Sequence, residues 1–219
     1  MMLLTDERDD SFEYGSLILH LDMSFNNIIM LFNLLNDEDF SSGEKAAIGL
    51  ELLLIDYEKL DSADPDEKGN VFLFILREYL DIDLEEQQEK DQSDESDDSE
   101  EHPSETPQKK TMDFEVDDEA IYSSFIFDYN VDLVEQQGVL HWNKFKALLN
   151  GLSEDSALMK IVNIRTMDVP EQTKHNSKER QRIIRLKNKY ALEQSENVVE
   201  QNLNNAATYL RGMTKDGGK

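Results

Sequence analysis

Cysteine is absent from this 219-residue chain. That removes disulfides, thiolate metal sites and cysteine nucleophiles together, and it fits a reducing compartment. Long apolar runs are missing as well. None approaches the roughly 18–20 residues that cross a bilayer, so no membrane is expected as a partner. Residues 1–8 have neither a basic start nor an extended apolar core, so no signal peptide is expected and the chain reads as soluble and intracellular. Basic residues are few, 22 against 48 acidic ones, for a formal charge of −26. A charge of that sign repels phosphate backbones, so nucleic acid is not an expected partner.

Signatures of catalysis are also lacking. The four histidines, His20, His102, His141 and His175, include no pair at metal-ligand spacing. There is no His-Glu-x-x-His, no glycine-rich phosphate loop and no Gly-x-Ser-x-Gly. No enzyme activity, cofactor or metal is expected. His141, beside Trp142, reads as a helix-start residue with a hydrogen-bonded ring; a catalytic base is the competing reading.

The charge is unevenly placed. Residues 1–80 carry 18 acidic and 5 basic side chains, residues 81–119 carry 18 and 3, and residues 120–219 carry 12 and 14. An acidic front therefore precedes a slightly basic back. The stretch from Asp91 to Glu105 holds almost only Asp, Glu, Ser, Gln, His and Pro. It has too little apolar surface to offset the entropy of ordering, and it reads as a disordered spacer. Serines beside its acids suit an acid-directed kinase, but solvated spacer is the preferred reading. It lacks the glycine turn and ligand spacing of a calcium loop.

Periodicity predicts a mainly α protein. Leu17, Leu19 and Leu21 alternate after Tyr14-Gly15, which predicts a strand and half of a hairpin. Phe25, Ile28, Ile29, Phe32 and Leu35 then recur at helical spacing, with Asp22 or Ser24 as cap. Ser41-Ser42-Gly43-Glu44 matches a capping box and opens a helix through Ile48, Leu52 and Ile55. Asp64-Pro65-Asp66-Glu67 opens a third, with Phe72, Ile75, Leu76 and Tyr79 inward. The expected divisions are an N-terminal module at 1–84, the acidic linker at 85–112, a helical module at 113–170 and a basic amphipathic tail at 171–219.

The helical module is expected to hold three short helices. Asp117 caps the first, with Ile121, Tyr122, Phe125 and Tyr129 inward and Asn130 as a left-handed stop. The second covers His141 to Leu149 and ends at Asn150-Gly151, where glycine suits the left-handed region. Ser153 caps the third, with Leu158, Ile161 and Val162 inward. Phe125, Phe145, Leu148 and Leu152 are the expected core, together with Trp142 as packing. Tyr122, Tyr129 and Trp142 are also candidate partner anchors.

Residues 174–189 hold seven basic side chains against Glu179. This stretch reads as a solvated or protein-facing helix, able to fold back on the acidic linker or to reach the acidic half of another copy. Arg180, Arg182 and Arg185 are its candidate binding residues. Val199, Leu203, Ala206 and Leu210 predict one more amphipathic helix before a frayed end.

The aromatic block resembles the bacteriophage gene-product-fifteen family, found in the tail-gene clusters of phages and prophages of Gram-positive hosts. The resembling residues are Ile121-Tyr122-Ser123-Ser124-Phe125, Tyr129-Asn130-Val131-Asp132-Leu133, Leu140 through Leu148, Gly151-Leu152-Ser153-Glu154-Asp155 and Ile164-Arg165. The family's run around the tryptophan looks like Leu-His-Trp-Trp-Lys-Phe, and here Asn143 takes the place of the second Trp. Leu3-Leu4-Thr5-Asp6 and Asp22-Met23-Ser24-Phe25 are similar as well.

The resemblance implies no catalytic residues. It implies a gene position between the tail tube and the tape measure, which tail assembly chaperones occupy. The expectation is therefore a tail assembly chaperone that binds the tape-measure protein and assists tube polymerisation, with the major tail-tube protein and a further copy of the chain as other partners. It would act in the host cytoplasm and be missing from the virion or depleted in it. Phe25, Ile28, Ile29 and Phe32 are candidate client-binding residues under that reading. The alternatives are a minor structural tail protein and an acidic inhibitor of a host nucleic-acid-binding protein.

Overall fold

The computed structural model describes residues 10–82, 111–173 and 175–192. Most of the expected linker, residues 3–6, Lys174 and the expected helix over Val199–Leu210 lie outside the described residues. Among the described residues the fold is mainly α, with seven α-helices and one two-stranded β element. The chain forms two compact units. The first comprises Met1–Ser104 and a return segment, Gly138–Trp142; the second comprises Glu105–Gln137 and Asn143–Lys219.

In the first unit, β1 (Ser11–Tyr14) and β2 (Leu17–His20) pair antiparallel with Tyr14 opposite Leu17. The full hairpin turns at Gly15, whose φ of 61° suits the first central position of a two-residue hairpin turn. Leu19 and Leu21 point into the core and Leu17 is half-buried. Three helices follow: α1 (Phe25–Asn36), α2 (Ser42–Leu53) and α3 (Pro65–Leu80), with a 3-10 turn at Tyr57–Leu60. Both expected capping boxes are present, Ser41 with Glu44 and Asp64 with Glu67. Ser24 is the N-cap residue of α1 but makes no side-chain cap bond. Asp22 does not cap the helix either: its carboxylate accepts from the Ser24 backbone amide at 3.0 Å and from the side-chain Nδ2 of Asn27 at 2.9 Å.

The helix expected to run through Ile55 ends at Leu53. Ala46, Gly49, Leu50 and Leu53 are buried, Ile48 and Leu52 are half-buried, and Ile55 lies beyond the helix and is exposed. Gly49 accounts for that inward face. A Cβ built there would stand 2.4 Å from Cε2 of Phe72 on α3, so the helices approach on the small-residue side rather than along the largest aliphatics.

The return segment completes this unit. The Phe25 amide donates to Leu140 at 2.9 Å and the Trp142 amide to Met23 at 2.7 Å, so the segment is hydrogen-bonded across the start of α1. Trp142, 1% exposed, meets the ring of Phe32 edge-on at 5.5 Å. This corrects the expectation that Trp142 packs with the helices of the aromatic block. Its local sequence gave no sign of a partner 110 positions earlier.

The second unit contains α4 (Asp118–Tyr129), α5, which begins at Trp142 and runs to Asn150, α6 (Ala157–Thr166) and α7 (Ser177–Lys189). Phe125 stacks on Phe145 at 5.2 Å, and Phe114 lies 6.2 Å from Phe145. Asn130 takes the left-handed conformation (φ 53°) and ends α4.

Three local expectations are corrected here. Asp117 makes no cap bond, because Arg165 holds its carboxylate. Ser156, not Ser153, caps α6, accepting from the Met159 amide at 3.3 Å. Ser153 instead donates its amide and hydroxyl to Asp128, each at 2.7 Å. Gly151 is absent from the positive-φ glycines. Its role is room: a Cβ there would stand 2.9 Å from the Tyr129 hydroxyl, which donates to the Leu148 carbonyl at 2.8 Å.

Candidate functional site

The named candidates separate by burial. In the first unit Phe25, Ile28 and Phe32 are core residues and Ile29 is half-buried, so their side chains are engaged in packing. The ring of His141 is hydrogen-bonded, with Nε2 3.2 Å from Asp10. In the second unit Phe125, Phe145 and Leu152 are buried and Leu148 is half-buried.

The outer side of α4 is different. Ile121 and Phe125 face inward, yet Tyr122 is 38% exposed, Ile126 38% and Phe127 68%. Tyr122 and Ile126 are four apart and share a face, and Phe127 projects about 100° farther round the helix from Ile126. Tyr129, next along that face, is half-buried through its bond to Leu148. The helix thus carries large apolar side chains outside its buried face, among exposed polar residues such as Glu119 and Ser123. Polar groups edge the strip. Partial desolvation, and then the Asp132 and Glu135 carboxylates, raise the Tyr122 hydroxyl above its usual range. Val134, in the turn after α4, is also exposed.

Ile126 and Phe127 were not among the residues the sequence singled out. The available signal was the run Phe125-Ile126-Phe127 itself, since three consecutive large apolar residues cannot all face one core from a helix.

On another side of α4 lies a shallow groove of about 650 Å³, lined by Val116, Ala120, Ser123, Ile161, Arg165 and Tyr190. Arg165 is 6% exposed. It donates to the Asp117 carboxylate through Nη1 at 2.6 Å and Nη2 at 2.8 Å, to the Thr111 carbonyl through Nη1 at 3.0 Å and to the Tyr190 carbonyl through Nε at 2.5 Å. Four bonds occupy a side chain with five donors, so it serves as an internal tie. Sequence reading placed Arg165 in the family pattern but did not see this role, because its partners lie as many as 54 positions away.

Of the basic candidates, Arg182 and Arg185 are exposed, and Arg180 is half-buried with its Nε unpaired among the described residues. No group of three or more His, Asp or Glu among the described residues is placed to hold a metal ion. No described helix is long and apolar enough to cross a membrane.

Comparison with curated proteins and with solved structures gives no match. A family model described as Bacteriophage Gp15 protein matches residues 4–192. That span includes the hairpin, the three helices after it, the exposed α4 and the Arg165 tie, so the chain belongs to the Bacteriophage Gp15 protein family.

Proposed function

We propose that this phage protein is a tail assembly chaperone: it binds the tape-measure protein, assists polymerisation of the tube around it, and acts in the host cytoplasm. The observation that carries the reading is the exposed strip Tyr122, Ile126 and Phe127 on a chain of net charge −26. An apolar strip on one helix suits an amphipathic helical client, which docks by burying its own apolar face. Strong like charge on the carrier keeps the loaded complex dispersed through self-repulsion. Family membership supports the phage setting, and the resemblance described above supports the tail-gene position. The major tail-tube protein is the second expected partner.

Mass spectrometry of purified particles tests this. A chaperone is absent from finished tails or strongly depleted relative to tube and tape measure. Retention in stoichiometric amount makes the protein a minor tail component instead.

A further inference from the structure

The cations of α7 are ordered along one line. Lys178, Arg182, Arg185 and Lys189 step by four, three and four, the spacing of a single helix face, and all four are exposed. The other side of the helix holds Ile183, Leu186 and Lys187, which are half-buried. Lys187 is engaged there, donating to the Arg165 carbonyl at 2.9 Å and also to the Met167 carbonyl. The stripe has one acidic neighbour on its own helix, Glu179, whose carboxylate stands 3.9 Å from Arg182 with both side chains largely in water. Lys189 also lies over the Tyr190 ring at 5.0 Å and lines the groove together with Glu119. Like charges three and four apart oppose one another, so further counter-charge along the row is favourable.

The same chain carries a dense run of carboxylates. Residues 91–105 contain eight carboxylates and no lysine or arginine. Arg165 fixes where the chain between that stretch and the second unit arrives. One guanidinium bonds the carbonyl of Thr111 at 3.0 Å and the carbonyl of Tyr190, the residue that ends α7, at 2.5 Å. The tether from 105 to 111 is six residues, at most about 20 Å of chain. The stripe from 178 to 189 is about 16 Å long. Every cation of the stripe is therefore within reach of the acidic stretch, and so short a tether holds the two at an effective concentration on the order of millimolar.

We propose that Lys178, Arg182, Arg185 and Lys189 form a docking surface for the chain's own acidic stretch, residues 91–105. The contact is electrostatic and reversible. A more acidic or better shaped partner reaches the stripe only by displacing that stretch. This goes beyond the chaperone reading and does not depend on it.

Zero-length carbodiimide coupling of the full-length protein tests the proposal, using an equal mixture of ¹⁴N- and ¹⁵N-labelled chains followed by peptide mass spectrometry. The expected products are amide links from Lys178 or Lys189 to carboxylates in 91–105, within a single isotope label. Their yield should fall at least fivefold, roughly, between about 0.05 M and 1 M salt. It should fall similarly in R182E/R185E, whose substitutions are at exposed positions and should leave the circular dichroism spectrum unchanged. Mixed-label links would overturn the proposal, because a second copy would then be the source of the acid. So would the absence of links to 91–105, or links undiminished in R182E/R185E.

Discussion

Arg165 places a full charge inside the second unit, and Asp117 is what makes that tolerable. Both side chains are almost wholly buried and joined by two short bonds. Removing one partner leaves the other charge buried without compensation, at a cost of about 3–5 kcal/mol. Arg165→Met should therefore lower the unfolding free energy of this unit by about that amount in urea titration. The double variant R165M/D117L should recover most of the loss. Gly49 sets the opposite constraint in the first unit. Gly49→Ala gains about 1 kcal/mol of helix propensity but pushes a methyl against the buried Phe72 ring, where overpacking costs about 1–3 kcal/mol. The second effect wins, and the denaturant midpoint should fall.

Asp56 gives the first unit a pH response. Burial pushes its carboxyl up, but bonds from the Lys59 ammonium and from the ring and amide of His20 outweigh that and hold it well below the usual carboxylate range. A carboxyl lowered on folding stabilises above its ordinary pKa of about 3.9, and that stability fades as pH falls below it. Asp56→Asn should be clearly less stable than the parent at neutral pH. The gap should narrow on acidification, as followed by urea midpoints across pH.

At the scale of elements, helix ends govern what was legible. The Ser41–Glu44 and Asp64–Glu67 boxes and the Asn130 stop were readable because each rests on contacts within a few residues. Ser41→Ala should cost about 1 kcal/mol through loss of the cap. The hairpin was half legible: the alternation of Leu19 and Leu21 gave the second strand, while Ser11–Tyr14 shows its pairing only through its partner. Caps at Asp117 and Ser153 were misread because both side chains are engaged over long range, by Arg165 and Asp128 respectively. α2 ends at Leu53, short of the expected Ile55, because Leu54 and Ile55 pair with the chain at Leu21 and His20 instead. Trp142 was assigned to its sequence neighbours although its packing partner is Phe32.

The strip on α4 makes a prediction at this scale too. Ile126→Glu with Phe127→Asp changes only exposed positions, so stability should shift by about 0.5 kcal/mol or less per site. Client binding should be lost. Unfolding curves and pull-downs on the same variant separate the two effects.

Across the whole molecule, charge and apolar surface are divided between regions. The first 119 residues hold 36 of the 48 acidic side chains, while α7 concentrates cations on one face. The exposed strip of α4 stands between these extremes in sequence, on a unit whose core is complete without it. In the proposed role the acidic part disperses the complex, the strip holds the client, and the cationic face answers to the chain's own acids. Little of this division was visible from the aromatic block alone. That block identified the family, but its largest ring belongs to the first unit, and the exposed Ile126-Phe127 pair invoked in the proposed role stands beside the residues that carry the resemblance.

The most direct test is co-expression of the tape-measure protein with this chain and with its I126E/F127D variant, followed by measurement of soluble and co-purified tape measure. The account predicts that the parent keeps the tape measure soluble and co-purifies with it, and that the variant, equally folded, does neither. Equal solubility and equal recovery with parent and variant, or with no partner at all, would contradict it.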